Sequence, residues 1–254
     1  MSVDAHPAEE AILPDSRDPM AQRILSVLEA CSTAGRPRTI SELVTATGLA
    51  KSTLHRICWK LEGLGMLEHE TAGFTVGTKL LAIANTSPVV AQIRRAAMPH
   101  LVALQTAAGA SNLAILNGRR ALVVDGLYSA AFRGSPMIGM GLPLHCTAVG
   151  KAILAFIPIE DRERLLPRHM LPPATPRSIS HPGMIRRHLD RVAERGVAIS
   201  SEEFQPGLVG VAAAFSVHGT IAAIGTVGSS TNRAVLASQN QVVAAAAQLQ
   251  SRFA

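Results

Sequence analysis

Apolar residues recur at helical spacing in the first third of the chain, and beyond residue 110 they gather into strand-like runs. The stripe Ile24, Leu25, Val27 and Leu28 predicts a helix that begins near Met20 and is stopped by the turn Gly35-Arg36-Pro37-Arg38. Thr39-Ile40-Ser41-Glu42 then fits a capping box, with Thr39 as N-cap and Glu42 three residues on. The helix it opens is short and ends near Thr47-Gly48. After Gly48-Leu49-Ala50 a third helix carries Leu54, Ile57, Cys58, Leu61 and Leu64 on one face, with Gly63 and Gly65 able to supply a left-handed stop. Met66-Leu67-Glu68 and Phe74-Thr75-Val76, on either side of His69 to Gly73, predict a short hairpin. Two helices across a glycine turn, followed by a hairpin, make a winged helix-turn-helix.

The remainder predicts a different kind of unit. A helix from Pro88 to Ala108, with Ile93, Ala97, Leu101 and Leu104 at helical spacing, serves as a linker within residues 83–109. Strands are expected at Asn112–Leu116, Ala121–Asp125, Val197–Ser201, Val209–Val217 and Ile221–Val227. Helices are expected at Thr147–Phe156, Ile159–Leu165, Met184–Arg195 and Arg233–Phe253. His218-Gly219-Thr220 is a tight turn between the last two strands. The fold class is α+β with an antiparallel sheet over residues 110–254, behind a DNA-binding domain at 19–82. Residues 1–18, with two prolines and scattered acids, predict a disordered arm.

Removing the apolar stripe from the third helix leaves Lys51, Ser52, Thr53, His55, Arg56 and Lys60. Hydroxyls and a free helix N-terminus suit phosphate, as do Lys51 and Lys60, while Arg56 can present two donors to a guanine edge. Thr39 and Ser41, at the start of the preceding helix, join this DNA-facing set. Trp59 falls off the stripe and is expected half-exposed, in a packing role. The alternative is an amphipathic helix with a merely solvated polar face; the cap, turn and hairpin around it argue against that.

Charge adds less than it promises. The chain has 24 basic and 18 acidic side chains, net +6. Residues 1–80 carry 8 basic and 10 acidic groups, whereas residues 81–254 carry 16 and 8, so the positive excess lies outside the helix-turn-helix. Affinity for nucleic acid has to come from placed groups. The three cysteines, Cys31, Cys58 and Cys146, lack metal or disulfide spacing, and neither a signal peptide nor an 18-residue apolar run is present. The expected location is the cytoplasm, with no metal, cofactor or membrane partner.

Residues 22–84 resemble the N-terminal winged helix of IclR-type bacterial transcription regulators, through Thr39-Ile40-Ser41-Glu42-Leu43, Gly48-Leu49-Ala50-Lys51-Ser52-Thr53-Leu54-His55-Arg56 and the wing exit Phe74-Thr75-Val76-Gly77. Gly141-Leu142-Pro143-Leu144-His145-Cys146-Thr147-Ala148-Val149-Gly150-Lys151-Ala152 is similar to the segment that begins the family's effector pocket. Gly196-Val197-Ala198-Ile199-Ser200-Ser201-Glu202-Glu203, leading to Gly207, is a third match. The resemblance implies a homodimer or tetramer on double-stranded operator DNA, with a GAF-like domain that senses a small molecule. It also implies pocket positions at Leu142, His145, Cys146, Thr147, Ala148, Val149, Ser200, Gly210, Gly225 and Val227. Family members that bind small oxo-acids tend to place carboxyl or hydroxyl groups at several of these positions. Gly210, Gly225 and Val227 here imply a roomier, more apolar pocket and a larger or aromatic organic acid.

Rival readings are weaker. Ala148-Val149-Gly150-Lys151-Ala152 resembles the end of a phosphate-binding loop, but His145 and Ala152 stand where that motif needs glycine and a hydroxyl, so Lys151 is expected on a helix surface or a domain contact. His145 beside Cys146 could be a thiol–imidazole pair, yet adjacent residues on an extended segment point opposite ways, which favours pocket lining or packing. His169, His181 and His188 are expected at the surface, Glu202-Glu203 at a solvated strand end, and Arg119-Arg120 in a hairpin turn. Two other functions remain open: a small-molecule enzyme with an appended winged helix, and a DNA-binding architectural protein without a ligand.

Overall fold

The computed structural model describes residues 19–32, 36–84, 86–105, 109–129, 138–167 and 169–253. The expected arm at 1–18, Gly35 of the first turn, and residues 85 and 106–108 of the expected linker lie outside these. The chain divides into two compact units, residues 1–87 and 88–254.

In the first unit, α1 (Pro19–Ser32), α2 (Ile40–Thr47) and α3 (Lys51–Gly63) surround a core of Val27, Cys31, Leu43, Leu54, Ile57, Cys58 and Leu61. The capping box forms as the pattern demands: the Glu42 amide donates to Thr39 Oγ1, and the Thr39 amide donates to Glu42 Oε2. Arg36 pairs with the same carboxylate, and this guanidinium, with the Thr39 amide, holds the Glu42 carboxyl down to about 2. Gly48 closes α2 at φ 69°, left-handed backbone that glycine adopts without strain. Leu64 departs from the expected stripe and is 54% exposed, because α3 has already ended and the chain turns through Gly65 at φ 73°.

The wing pairs β1 (Leu67–Glu70) with β2 (Gly73–Val76) in antiparallel register. A bridge adds Arg38 to this hairpin: each amide of Arg38 and Phe74 donates to the other's carbonyl at 2.8 Å. The bridge seats Phe74 in the core beside Leu67. Glu68 Oε1 then accepts the Thr78 amide at the start of α4 (Thr78–Ala84), a helix the apolar pattern does not predict because none of its residues is buried.

The second unit is a six-stranded antiparallel sheet made of β3 (Gly109–Asn117), β4 (Arg120–Tyr128), β5 (Gly141–Pro143), β6 (Ala198–Ser201), β7 (Leu208–Val217) and β8 (Thr220–Ser229), in the order β5-β4-β3-β8-β7-β6. α5 (Pro88–Leu104) and α10 (Gln239–Arg252) cover one face, where Ile93, Leu101 and Leu249 meet Val211, Phe215 and Ile224. Arg94 Nε donates to the buried Asp125 of β4 at 3.1 Å, so the helix expected as a linker is held on the sheet.

α6 (Ala148–Phe156) and α8 (Pro182–Arg195) cover the opposite face, with α7 (Ile159–Leu165) between them in sequence. That face of the sheet is built from small residues, Ala114, Ala121, Ala198, Ala212 and Ala223, which lets α6 approach closely. The single helix expected over Arg233–Phe253 is broken into α9 (Arg233–Ala237) and α10 at Ser238, whose hydroxyl donates to the Val235 carbonyl.

Candidate functional site

Burial of Leu54, Ile57, Cys58 and Leu61 fixes the rotation of α3, so its other face turns outward. Lys51, Ser52, His55, Arg56 and Lys60 are exposed there, and Thr53 is half-buried. Ala50 caps the helix without a side-chain hydrogen bond, leaving first-turn amides for a phosphate. Thr39 and Ser41 are exposed at the start of α2, but the Thr39 hydroxyl is occupied by the capping box. Trp59 is 42% exposed and packs against the wing, where its ring meets His69 and Phe74 with centroids 4.9 and 5.5 Å apart. Trp59 Nε1 donates to His55 Nε2 at 3.0 Å, which requires the lone pair of that nitrogen and leaves the His55 proton on Nδ1. The wing strand β1 presents Glu68, His69 and Glu70 to solvent, so it brings no lysine or arginine to a nucleic acid.

The second unit contains an apolar cavity beneath the N-terminus of α6. Leu142, Thr147, Ala148, Val149, Ser200, Gly210 and Val227, all expected from the sequence, line it. His145, Cys146 and Gly225 do not. His145 Nε2 lies 3.0 Å from the Pro172 carbonyl, to which it donates, and burial pushes the Cys146 thiol up to about 12, aided by the Glu203 carboxylate. A thiol held protonated beside an imidazole engaged elsewhere is no nucleophile–base pair. Gly225 is packed against the neighbouring strand: a Cβ there would stand 2.4 Å from the Val211 carbonyl oxygen.

The cavity encloses about 50 Å³, room for a few water molecules, against about 300–1,000 Å³ for common ligand pockets. The expected roominess is therefore absent. Gly210 creates no space because Ala148 fills it, 3.2 Å from where a Cβ would lie, and Phe204 and Leu208, which the sequence reading missed, close the wall. Asn112 of β3 was missed as well. It is 4% exposed, lines the cavity, and its Oδ1 has no hydrogen-bond partner. A polar residue inside a strand of small and apolar neighbours was the available signal.

Several surface expectations are overturned. Lys151 is fully buried, and its Nζ donates to Glu203 Oε1 at 2.6 Å. Glu203 is therefore an internal partner of α6, and its backbone carbonyl is held by the Thr175 and Ser178 hydroxyls. The small-residue face of the sheet draws α6 in so far that its lysine cannot reach water. His188 is half-buried on α8, whereas His181 caps that helix by accepting the Gly183 amide. Arg119, by contrast, is exposed in the hairpin turn as expected, and donates to the carbonyls of Arg164 and Leu165, while Arg120 opens β4. Among the described residues no group of three or more His, Cys, Asp or Glu is placed to hold a metal, and no helix is long and apolar enough to cross a membrane.

Comparison with known proteins bears on both units. Residues 20–71 match the model of the IclR helix-turn-helix domain, and residues 87–252 match that of the bacterial transcriptional regulator IclR C-terminal domain. An HTH-type transcriptional regulator of Mycobacterium tuberculosis is 33% identical over 199 residues, covering 76% of this chain and 74% of the relative. The transcriptional repressor IclR of Escherichia coli is 28% identical over 198 residues, 73% of this chain and 70% of the relative. The crystal structure of an IclR homolog from Microbacterium hydrocarbonoxydans complexed with 4-hydroxybenzoate superposes with a TM-score of 0.79 at 25% identity, covering 92% of this chain and 98% of that one.

Proposed function

The chain belongs to the IclR family of bacterial transcriptional regulators, and from that premise we propose that α3 reads operator DNA and that the cavity beneath α6 takes an organic acid. The observation that carries the first part is the rotation of α3: four buried apolar residues leave Arg56 exposed, with Lys51 and Lys60 exposed on either flank. Arg56 reads a base edge and the lysines hold the backbone. A homodimer sets two such helices on a pseudo-palindromic operator.

Fluorescence anisotropy with the promoter fragment of the protein's own gene tests these roles. Arg56→Ala is expected to cost ~1–3 kcal/mol of discrimination between operator and scrambled DNA. Lys60→Ala is expected to weaken both equally and to flatten the salt dependence of binding by about one ion. Equal loss on both sequences for Arg56→Ala would remove it from base readout.

Asn112 supplies the second part. Its unpaired Oδ1 is an unmet acceptor in an apolar cavity, suited to a hydroxyl that the acid donates, and the first turn of α6 adds backbone amides suited to its carboxylate. The neighbour bound to 4-hydroxybenzoate makes an aromatic acid the first candidate. An acid of that size requires an arrangement more open than about 50 Å³. It can shift operator affinity only by its preference for that arrangement over this one, typically ~1–3 kcal/mol.

A thermal-shift series with 4-hydroxybenzoate, pyruvate and glyoxylate separates the alternatives. Stabilisation by the aromatic acid is the expected result, and stabilisation by the two- and three-carbon acids alone would sink it. Asn112→Ala should leave the free protein as stable as before, since the orphaned amide makes no bond there, and should weaken the acid by about fivefold, the ~1 kcal/mol of one hydrogen bond.

A further inference from the structure

A second cavity, larger than the first, lies where α8 meets the edge strand β6 and encloses about 180 Å³. Its wall on α8 is His188, Arg191 and Arg195, spaced three and four residues apart and therefore on one helix face. Val197 and Ile199 of β6 form an apolar side, and Gln239, the first residue of α10, completes it. Among the described residues no acidic side chain lines this space.

Two of the other charges of α8 are paired, while Arg187 and Glu194 make no ion pair among the described residues. Asp190 pairs with Arg162, and Arg186 with Glu163. Arg191 and Arg195 have no such partner among the described residues, and His188 Nε2 is buried with no hydrogen-bond partner. The imidazole pKa falls to about 4, first through burial and then through Lys151, Arg191 and Arg195, so every charge it feels is positive. Three nitrogen-bearing side chains converge on a concave space that lacks a counter-charge, which is how proteins receive phosphates and carboxylates.

We propose that this cavity is a second anion site, separate from the one beneath α6, which takes a small phosphate-bearing anion against Arg191, Arg195 and His188. Two guanidiniums offer forked donors to phosphate oxygens, a neutral His188 with its proton on Nε2 donates a further bond, and Val197 and Ile199 accept the carbon skeleton of an ester. The site does not depend on what α3 or the α6 cavity binds.

Isothermal titration calorimetry of the full chain tests it, with inorganic phosphate and glycerol 3-phosphate as separate probes in chloride buffer of fixed ionic strength. One saturable site per chain is expected. Tighter binding of glycerol 3-phosphate assigns the site to a phosphate ester, and equal affinity assigns it to free phosphate. Arg191→Gln and Arg195→Gln are each expected to weaken the probe about tenfold, ~1.4 kcal/mol. Arg187→Gln, an exposed residue of the same helix outside the cavity wall, removes the same charge and should change nothing. Unchanged melting temperatures and an unchanged thermal shift with 4-hydroxybenzoate show that the variants fold and that the α6 cavity is intact. The proposal is overturned by an absence of saturable heat, or by equal loss in Arg187→Gln. It is overturned also if Arg191→Gln and Arg195→Gln weaken operator binding while phosphate affinity stays constant, which makes the cluster a DNA contact.

Discussion

Replacing Lys151 with methionine is expected to lower the free energy of unfolding by about 3–5 kcal/mol, the cost of leaving one partner of a buried ion pair alone. The lysine is fully buried, and Glu203, across the 2.6 Å contact, has only 9% of its side chain exposed. Glu203 Oε2 already lacks a partner, so loss of the ammonium strands a carboxylate that solvent cannot rescue. Burial pulls the Lys151 pKa down and the carboxylate opposes that pull, as expected where desolvation and attraction compete.

The double variant Lys151→Met/Glu203→Leu should recover most of the loss, because an apolar pair of similar volume can replace a buried ion pair at little cost. Urea midpoints of the single and double variants check this. A single variant as stable as the parent would mean that water reaches Glu203. The pair matters beyond stability: Lys151 shares α6 with Ala148 and Val149, behind the N-cap Thr147, while Glu203 adjoins Phe204 and Gln205. It thus ties together two walls of the first cavity.

Gly73→Ala is expected to cost about 3 kcal/mol or more, combining left-handed backbone strain with overpacking. Gly73 has φ 132°, and a Cβ would stand 2.2 Å from the Arg38 carbonyl oxygen. That carbonyl accepts the Phe74 amide, so the clash falls on the bridge that seats Phe74 in the core. Operator affinity should fall with the folded population of the first unit, whereas the thermal shift with 4-hydroxybenzoate, read from the second unit, should persist. Differential scanning calorimetry and anisotropy on the same preparation test both statements. A parent-like melting profile would show that the wing moves aside without penalty.

Local patterns made much of this molecule legible. The capping box at Thr39–Glu42 is satisfied by residues three apart, and the α3 stripe needs only helical geometry. The strand runs of β7 and β8 could be read because their two residue sets alternate, Val211, Ala213 and Phe215 on one face against Ala212 on the other. What the pattern missed depends on distant partners. β5 has three residues and exists through its pairing with β4. Ser238 breaks the last helix at a point where its hydroxyl also meets Thr226 Oγ1 of β8. Lys151 sits in an apolar helix whose acid lies 52 residues on, and charge is expected outside until such a partner is known. The glycines at 210 and 225 promised space, but a glycine yields a cavity only where no neighbour moves into the gap, and Ala148 and Val211 both do.

Trp59 is the chain's one tryptophan, and it stands on α3 between His55 and the wing residues His69 and Phe74. Intrinsic indole emission from this protein therefore reports on a single place, the junction of the reading helix and its hairpin. An emission change on adding operator DNA, with excitation confined to the indole band, comes from α3 itself. The second unit, whose one phenol is Tyr128, is dark at that wavelength. The protein thus carries its own optical readout: an acid that alters indole emission has acted on the first unit from the second, with no label attached to either.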